Sequence, residues 1–420
     1  MTTSLPSPPS AQLAGSVLVL MQFDVCEEIR LDQLQQGADA GSAARTVQQP
    51  KIKHSVPAYV RYQRPPIAEP LEPLILKSGE RAPGVPGDKS TPPGWSSGVP
   101  SDRSTSLGWS SGVPGDRSTS LGWQLEGEIK YFDYGVVSVV YQLAFSCDWQ
   151  SLVQLASRWV WDVDFAARVE PIVRSHLARV IARSPGALVK PYSRWLSEDY
   201  FIFHVRSGDA AQPAADLTRD HGLEIAQIVR GDRQRLSTGE CAEVLQSRIS
   251  YYEDDLAVIG WNAAFLYDTN AGAETAIQLL EYANSQLLEF RHYDELLTGI
   301  LSSVYHSLEQ KQGIPARWRL SRRATRLHTV LLDIAELTER ADNSIKFLSD
   351  MFAARLYRLA AAKVGVPDYK DLVAQKLKTA EDLYHDMIEQ FNQARGFFLE
   401  AVVVLILLIE LFYLFRGKVV

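Results

Sequence analysis

The sequence predicts an α+β protein: an N-terminal mixed α/β head, then long antiparallel coiled-coil helices, then a C-terminal transmembrane helix. Three observations carry this reading. Residues 128–268 hold β-branched and aromatic runs separated by a helical stretch. From Ala273 onward apolar residues recur at helical and then at heptad spacing. Residues 397–415 read FFLEAVVVLILLIELFYLF, a composition found nowhere else in the chain.

The elements follow in order. SVLVLMQFDV reads as a strand and leads into a short helix, so residues 1–36 form the first strand and helix of the head. Residues 37–127 are rich in Gly, Pro, Ser and Thr. Inside them GVPGDKSTPPGWSS (84–97) is followed by GVPSDRSTSLGWSS (98–111) and GVPGDRSTSLGW (112–123). Each copy offers one Trp, one Val and several turn formers, too little apolar surface to offset the entropy of ordering. The stretch 37–127 therefore reads as a disordered insertion grown by tandem duplication. Trp95, Trp109 and Trp123, beside Arg103 and Arg117, also suit evenly spaced contacts of a multivalent ligand.

Order is expected again over 128–272, the body of the head. EIKYFDYGVVSVVYQL (128–143) has a Gly hinge between two strand-like runs. Residues 148–183 read as helix, SEDYFIFHVR (197–206) as a strand, and YYEDDLAVIGWNAAFLYD (251–268) contains a further strand. Asp268-Thr269-Asn270 is a helix start signal.

Residues 273–395 read as helical and coiled-coil. Gly313-Ile314-Pro315 breaks the first helix. Leu320, Leu327, Ile334, Ala341 and Leu348 then recur every seventh residue, with Ala324, Leu331, Ile345, Phe352 and Leu359 in the second seam position. Arg355 occupies a seam position where an apolar residue is expected. After Gly365-Val366-Pro367 the pattern repeats at Val373, Leu377, Ala380, Tyr384, Met387, Phe391, Ala394 and Phe398, without a stop before the apolar segment.

That segment, within 396–416, is long enough to cross a bilayer. As a helix, 397–415 spans about 28 Å, against about 30 Å of hydrocarbon. Its Leu, Ile, Val and Phe side chains together favour insertion by about 5 to 9 kcal/mol, and a central acid opposes it by about 3. Glu400 suits the near interface. Glu410 lies deeper and calls for a protein neighbour or protonation. A buried core helix is the soluble alternative.

The chain has 420 residues and a net charge of −7, so it is no general polyanion binder, and specific DNA binding is not expected. Its three cysteines, Cys26, Cys147 and Cys241, are far apart and show no CxxC spacing, which suits a reducing compartment. The N-terminus lacks a basic signal region. Residues 1–395 are expected in the cytoplasm, with the C-terminal tail across the inner membrane.

Chemistry has few footholds. The eight histidines make no HExxH, HxH or Cys/His zinc spacing. There is no P-loop, GxGxxG or GxSxG. No cofactor is implied. Asp254 and Asp255, beside a probable strand, are the acidic pair that could hold a divalent metal in a membrane-bound hydrolase or nucleotide-using enzyme, or could cap a strand end. Arg317, Arg319, Arg322, Arg323 and Arg326 cluster where antiparallel pairing of the two heptad segments puts them near the headgroups. There they suit anionic lipid, or RNA with Trp318 interleaved, or a solvated helix face.

Three stretches together resemble one family. YFDYGVVSVVYQ (131–142) is similar to an early strand motif of the YagE-type, "required for meiotic nuclear division" family, in a bacterial member. SVLVLMQFDVCEEIRLDQL resembles its opening strand and helix. Residues 366–418 resemble its ending, in which a PD turn leads through a coiled coil and a Leu-Glu pair into a membrane helix. The matching positions are Pro367, Asp368, Tyr384, Arg395, Leu399, Glu400 and Glu410. Here Ala401 and a Val run stand where mitochondrial members have Trp and Ile. The resemblance implies a domain of unknown function. Its eukaryotic members are mitochondrial inner-membrane proteins linked to organellar translation by tethering ribosomes. It supplies no catalytic residues.

The functional expectation is a membrane-anchored scaffold or tether. Its partners are the lipid bilayer, further copies of itself through the coiled coil, and a protein or ribosome at the head. Arg395, Glu400, Glu410 and the arginine cluster would make the membrane and partner contacts.

Overall fold

The computed structural model describes residues 12–38, 45–46, 65–77, 122–207, 212–309, 329, 331–332, 334–335 and 351–417. The arginine cluster 317–326, the heptad positions 320–327 and 338–348, and the repeats up to residue 121 lie outside these residues.

The chain divides into two units. The first comprises Met1–Leu288 and Lys346–Val366. Its described strands are β1 (Leu13–Ile29), β2 (Arg45–Thr46), β3 (Ile67–Lys77), β4 (Gly122–Tyr131), β5 (Val136–Cys147), β6 (Leu188–Arg206), β7 (Arg248–Ile249), β8 (Leu256–Ile259) and β9 (Ala263–Asp268). Its helices are α1 (Leu31–Ala38), α2 (Trp149–Trp161), α3 (Phe165–Arg183), α4 (Ala214–Arg230) and α5 (Thr238–Gln246). The start of α6 (Asn270–Glu309) and α7 (Met351–Val364) complete it. All nine strands form one sheet in the order β2-β3-β4-β5-β1-β6-β9-β8-β7. β1 lies at its centre, antiparallel to β5 and β6, while β6 and β9 run parallel.

Side chains alternate between the two faces of β1. Val17, Val19, Met21 and Phe23 point into an apolar core filled by α2, α3, α4 and α5. Leu18, Leu20, Gln22 and Asp24 occupy the opposite face and are also buried. That second face is covered by α6, giving a helix–sheet–helix head.

Local chemistry explains most of these starts and stops. Asp148 caps α2 by accepting from Ser151 N at 2.8 Å, and Asp164 caps α3 by accepting from Ala167 N at 2.9 Å. Thr269 does the same for α6, accepting from Gly272 N at 3.1 Å as the sequence signal requires. The β4–β5 turn pivots on Gly135, whose φ of +96° and approach to Cys26 O leave no room for a Cβ.

β3 was not expected. IAEPLEPLILK lies inside the stretch read as disordered, and Pro70 and Pro73 argue against a central strand. Its place near the sheet edge resolves this. Among the described strands only β2 lies beyond it, against Ile67 and Ala68, so Pro70 has no described strand on its outer side, and Pro73 sits at the register shift between Leu71 and Leu74. Trp123, a repeat residue, belongs to β4 and packs on Trp159 of α2 at 5.9 Å between ring centroids.

The second sheet face is polar at its centre. Glu281 of α6 accepts from Lys130 Nζ at 2.7 Å and from Ser138 Oγ at 2.6 Å, while its backbone oxygen accepts from Gln22 Nε2 at 2.8 Å. The side chains of Lys130 and Glu281 are only 9% and 4% exposed. Tyr134 and Ser285 share a hydroxyl hydrogen bond of 2.7 Å nearby, and Tyr357 of α7 donates to Gln286.

α7 buries Ala353, Leu356, Tyr357, Ala360, Ala361 and Val364. That stripe is shifted by one position from the seam read in the sequence. Arg355 is therefore exposed, and its apparent intrusion into a seam disappears. The described residues do not establish a coiled coil.

The second unit comprises Glu289–Ile345 and Pro367–Val420. It contains the rest of α6 and α8 (Val366–Phe415) from Pro367 onward. Val373, Ala380 and Met387 are buried on one face of α8, and Lys376 Nζ pairs with Asp294 at 2.5 Å and donates to Thr298 at 2.6 Å.

Replacing Glu281 by Ala leaves Lys130 buried without its counter-charge. Urea unfolding should show a loss of about 3–5 kcal/mol. Lys130→Met combined with Glu281→Leu removes both charges and should recover most of that loss.

Candidate functional site

The acidic pair proposed for metal is divided between solvent and a turn. Asp254 is exposed in the turn before β8. Asp255 accepts from Tyr251 N at 2.8 Å through one oxygen and from Tyr252 N at 3.0 Å through the other. It closes the turn that starts the strand, the capping role weighed in the sequence. Among the described residues no group of three or more His, Cys, Asp or Glu side chains could hold a metal ion.

Asp255 instead lines a small, mostly apolar pocket with Asp268, Ala257, Leu266, Ala276 and Phe352. Asp268 ends β9 and accepts from Thr269 N at 2.6 Å. Gly272 faces it so closely that a Cβ would overlap its carboxylate. Burial raises the Asp268 pKa, the Thr269 backbone opposes this, and the charge of Asp255 adds to the rise. His204, at the end of β6, donates through Nε2 to Asp268 O at 3.0 Å, and burial lowers its pKa.

The densest charged constellation among the described residues lies on the other face, and sequence reading missed it. Glu69 of β3 is buried between Tyr131 of β4 and His176 and Arg183 of α3. Arg183 donates to both Glu69 oxygens, at 2.6 Å to Oε2. His176 Nε2 lies 3.1 Å from Glu69 Oε2 and 2.9 Å from the Tyr131 hydroxyl, and its ring stacks on that of Tyr131. Burial alone would raise the Glu69 pKa. The hydrogen bonds from His176 and Arg183, with the Arg183 charge, outweigh it and hold the carboxyl at about 2. Burial pushes the Tyr131 hydroxyl far in the opposite direction. A carboxylate held by two basic side chains is a clamp between α3 and the sheet edge, and a poor proton acceptor. Spacing alone could not reveal it, since Glu69 and His176 are 107 positions apart.

Arg395, Glu400 and Glu410 are placed on α8, all exposed. This helix is long and apolar enough to cross a membrane, and none of its apolar window is buried. The five arginines of the cluster lie outside the described residues. Cys26, Cys147 and Cys241 form no disulfide, and burial pushes the Cys147 thiol up to about 12.

A helix-covered nine-stranded sheet with charges clamped on both faces defines a mixed α/β head, to which a long apolar helix is added. The chain belongs to the family described as "Uncharacterized protein MJ0711, N-terminal domain", which matches residues 14–85 and 115–274, more than half of the sequence. The uncharacterized protein MJ0711 of Methanocaldococcus jannaschii is 20% identical over 187 residues, covering 44% of this chain and 57% of that protein. The match thus spans little more than half the length of that relative. No solved structure matches.

This family replaces the YagE-type resemblance, which the comparisons do not support. The motif YFDYGVVSVVYQ falls inside the matched region and is the β4–β5 turn with its second strand. Aromatic and β-branched residues around a glycine suit any such hairpin. The ending, where heptad-spaced residues run into an apolar span, is likewise a general physical pattern and lies outside the match.

Stability should report the Glu69 clamp through pH. Its folded pKa is depressed from 4.5 to about 2, so its contribution is fully present above about pH 4.5 and is lost as pH falls through about 2. Glu69→Gln should destabilise the head by on the order of 3 kcal/mol at pH 7 and flatten the acid limb of a denaturation–pH profile over that window.

Proposed function

We propose that the chain is a membrane-anchored tether, with residues 397–415 in the bilayer and the head binding a partner on one side. One observation carries this reading. The apolar end of α8 is exposed along its whole length: Phe397, Val404, Leu407, Ile409 and Phe412 are each about half or more uncovered. So much contiguous apolar surface is unfavourable in water, by roughly 25 cal/mol per Å², and favourable in hydrocarbon. The length matches a single crossing.

The proposed orientation puts the bulk on the cytoplasmic face of the inner membrane and the short tail beyond it. The buried stripe Val373, Ala380 and Met387 supports a helical rod leading to the membrane, with coiled-coil pairing as its extended form. A metal-dependent or nucleotide-using head acting through Asp254 and Asp255 is less well supported, because the turn already engages both Asp255 oxygens.

Alkaline carbonate washing of membranes tests the anchor. The full chain should stay in the pellet, and a chain ending before Phe397 should move to the supernatant. Release of the full chain by carbonate would sink the proposal.

A further inference from the structure

The two acids in the apolar end of α8 share one face. At 3.6 residues per turn, Gly396, Glu400, Val403, Leu407, Glu410 and Leu414 lie within about 80° of one another around the axis. They also follow the alternating spacing of a heptad seam. Val373, Ala380 and Met387, which α8 buries, lie about 180° away. α8 thus carries two stripes. One is used inside the chain. The other holds both acids and is exposed.

Depth makes the second stripe informative. Glu410 is about 7.5 Å of helix from Phe415, inside the hydrocarbon layer if 397–415 spans it. An acid facing lipid near that depth costs about 3 kcal/mol. Among the described residues only one helix is long and apolar enough to cross, so they offer no second span to cover Glu410. Another molecule could supply that cover.

A second copy meets the requirements with nothing added. Copies inserted in the same direction place Glu410 at one depth, and a two-fold axis along the membrane normal brings the stripe onto itself. Two facing carboxyl groups can share a proton and hydrogen-bond to each other. Val403, Leu407 and Leu414 supply apolar packing around them, and Gly396 permits close approach at the interface. A foreign helix would have to bring its own polar group to the same depth, at a cost of its own. We propose that α8 pairs in parallel with α8 of a second copy through this stripe, with the Glu410 side chains in contact. The proposal rests on the membrane reading above.

Full-length protein in phospholipid vesicles provides the test, with each variant first subjected to carbonate washing. Single cysteines at Val403, Leu407 and Leu414 should form oxidative dimers several-fold more efficiently than cysteines at Leu405, Leu408 and Phe412. Energy transfer between labelled copies, diluted in lipid, should show Glu410→Leu weakening association by roughly three- to thirtyfold, with Glu410→Gln within about threefold of the native chain. Equal cross-linking on both faces, a preference for the second set, unweakened Glu410→Leu dimers, or adducts only with a different protein would each overturn the pairing. Carbonate-resistant protein that never dimerises defeats the pairing alone, whereas extraction by carbonate defeats the membrane reading and the pairing with it.

Discussion

The buried contact of Lys130 and Glu281 is the constraint on which the head's architecture depends. An apolar sheet face accepts a covering helix in several registers at similar free energy. A face carrying Lys130, Ser138 and Gln22 does not, because one register alone satisfies all three. Each charge buried without the other would cost several kcal/mol. β1, β4, β5 and α6 are therefore committed to one arrangement, and α6 is fixed against the sheet along a stretch where nearly every residue is buried.

The Glu69 clamp plays a related part on the opposite face. β3 carries two prolines and a register shift, so its backbone pairing is weak for a strand of its length. Arg183 and His176 fasten it from α3, and Arg179 adds an exposed pair with Glu72 at 3.0 Å. Exposed pairs of that kind add little, so the buried carboxylate carries the attachment. Charge thus does at the β3 edge what hydrogen-bonded ladders do at the sheet centre.

What could be read from sequence was local. The strand SVLVLMQFDV, the Gly-hinged hairpin around Gly135 and the Asp268-Thr269 cap each depend on neighbouring residues, and each appears in the fold. β3 was hidden because its prolines are tolerable only at a sheet edge, and edge position is a property of the whole topology. The Glu69 and Glu281 networks were hidden for a similar reason. Glu281 and Lys130 are 151 positions apart, and nothing at either position distinguishes them from surface residues. Arg355 looked anomalous because a heptad was imposed on α7, whose buried stripe runs one residue further on. The family resemblance failed where it leaned on patterns that any hairpin or any amphipathic helix entering a bilayer would share.

The β3–β4 hairpin pairs Lys77 with Gly122, so the chain leaves and rejoins the sheet at adjacent points across residues 78–121. Chain-closure entropy between two fixed points rises by only about 0.6 kcal/mol for each doubling of the number of residues between them. Another copy of the 14-residue unit would therefore leave the free energy of the head almost unchanged. The hairpin acts as a port in the fold, because the strands are paired on both sides of residues 78–121 whatever number of units lies between them. Copy number at this junction is free to drift between lineages even if every strand around it stays in place.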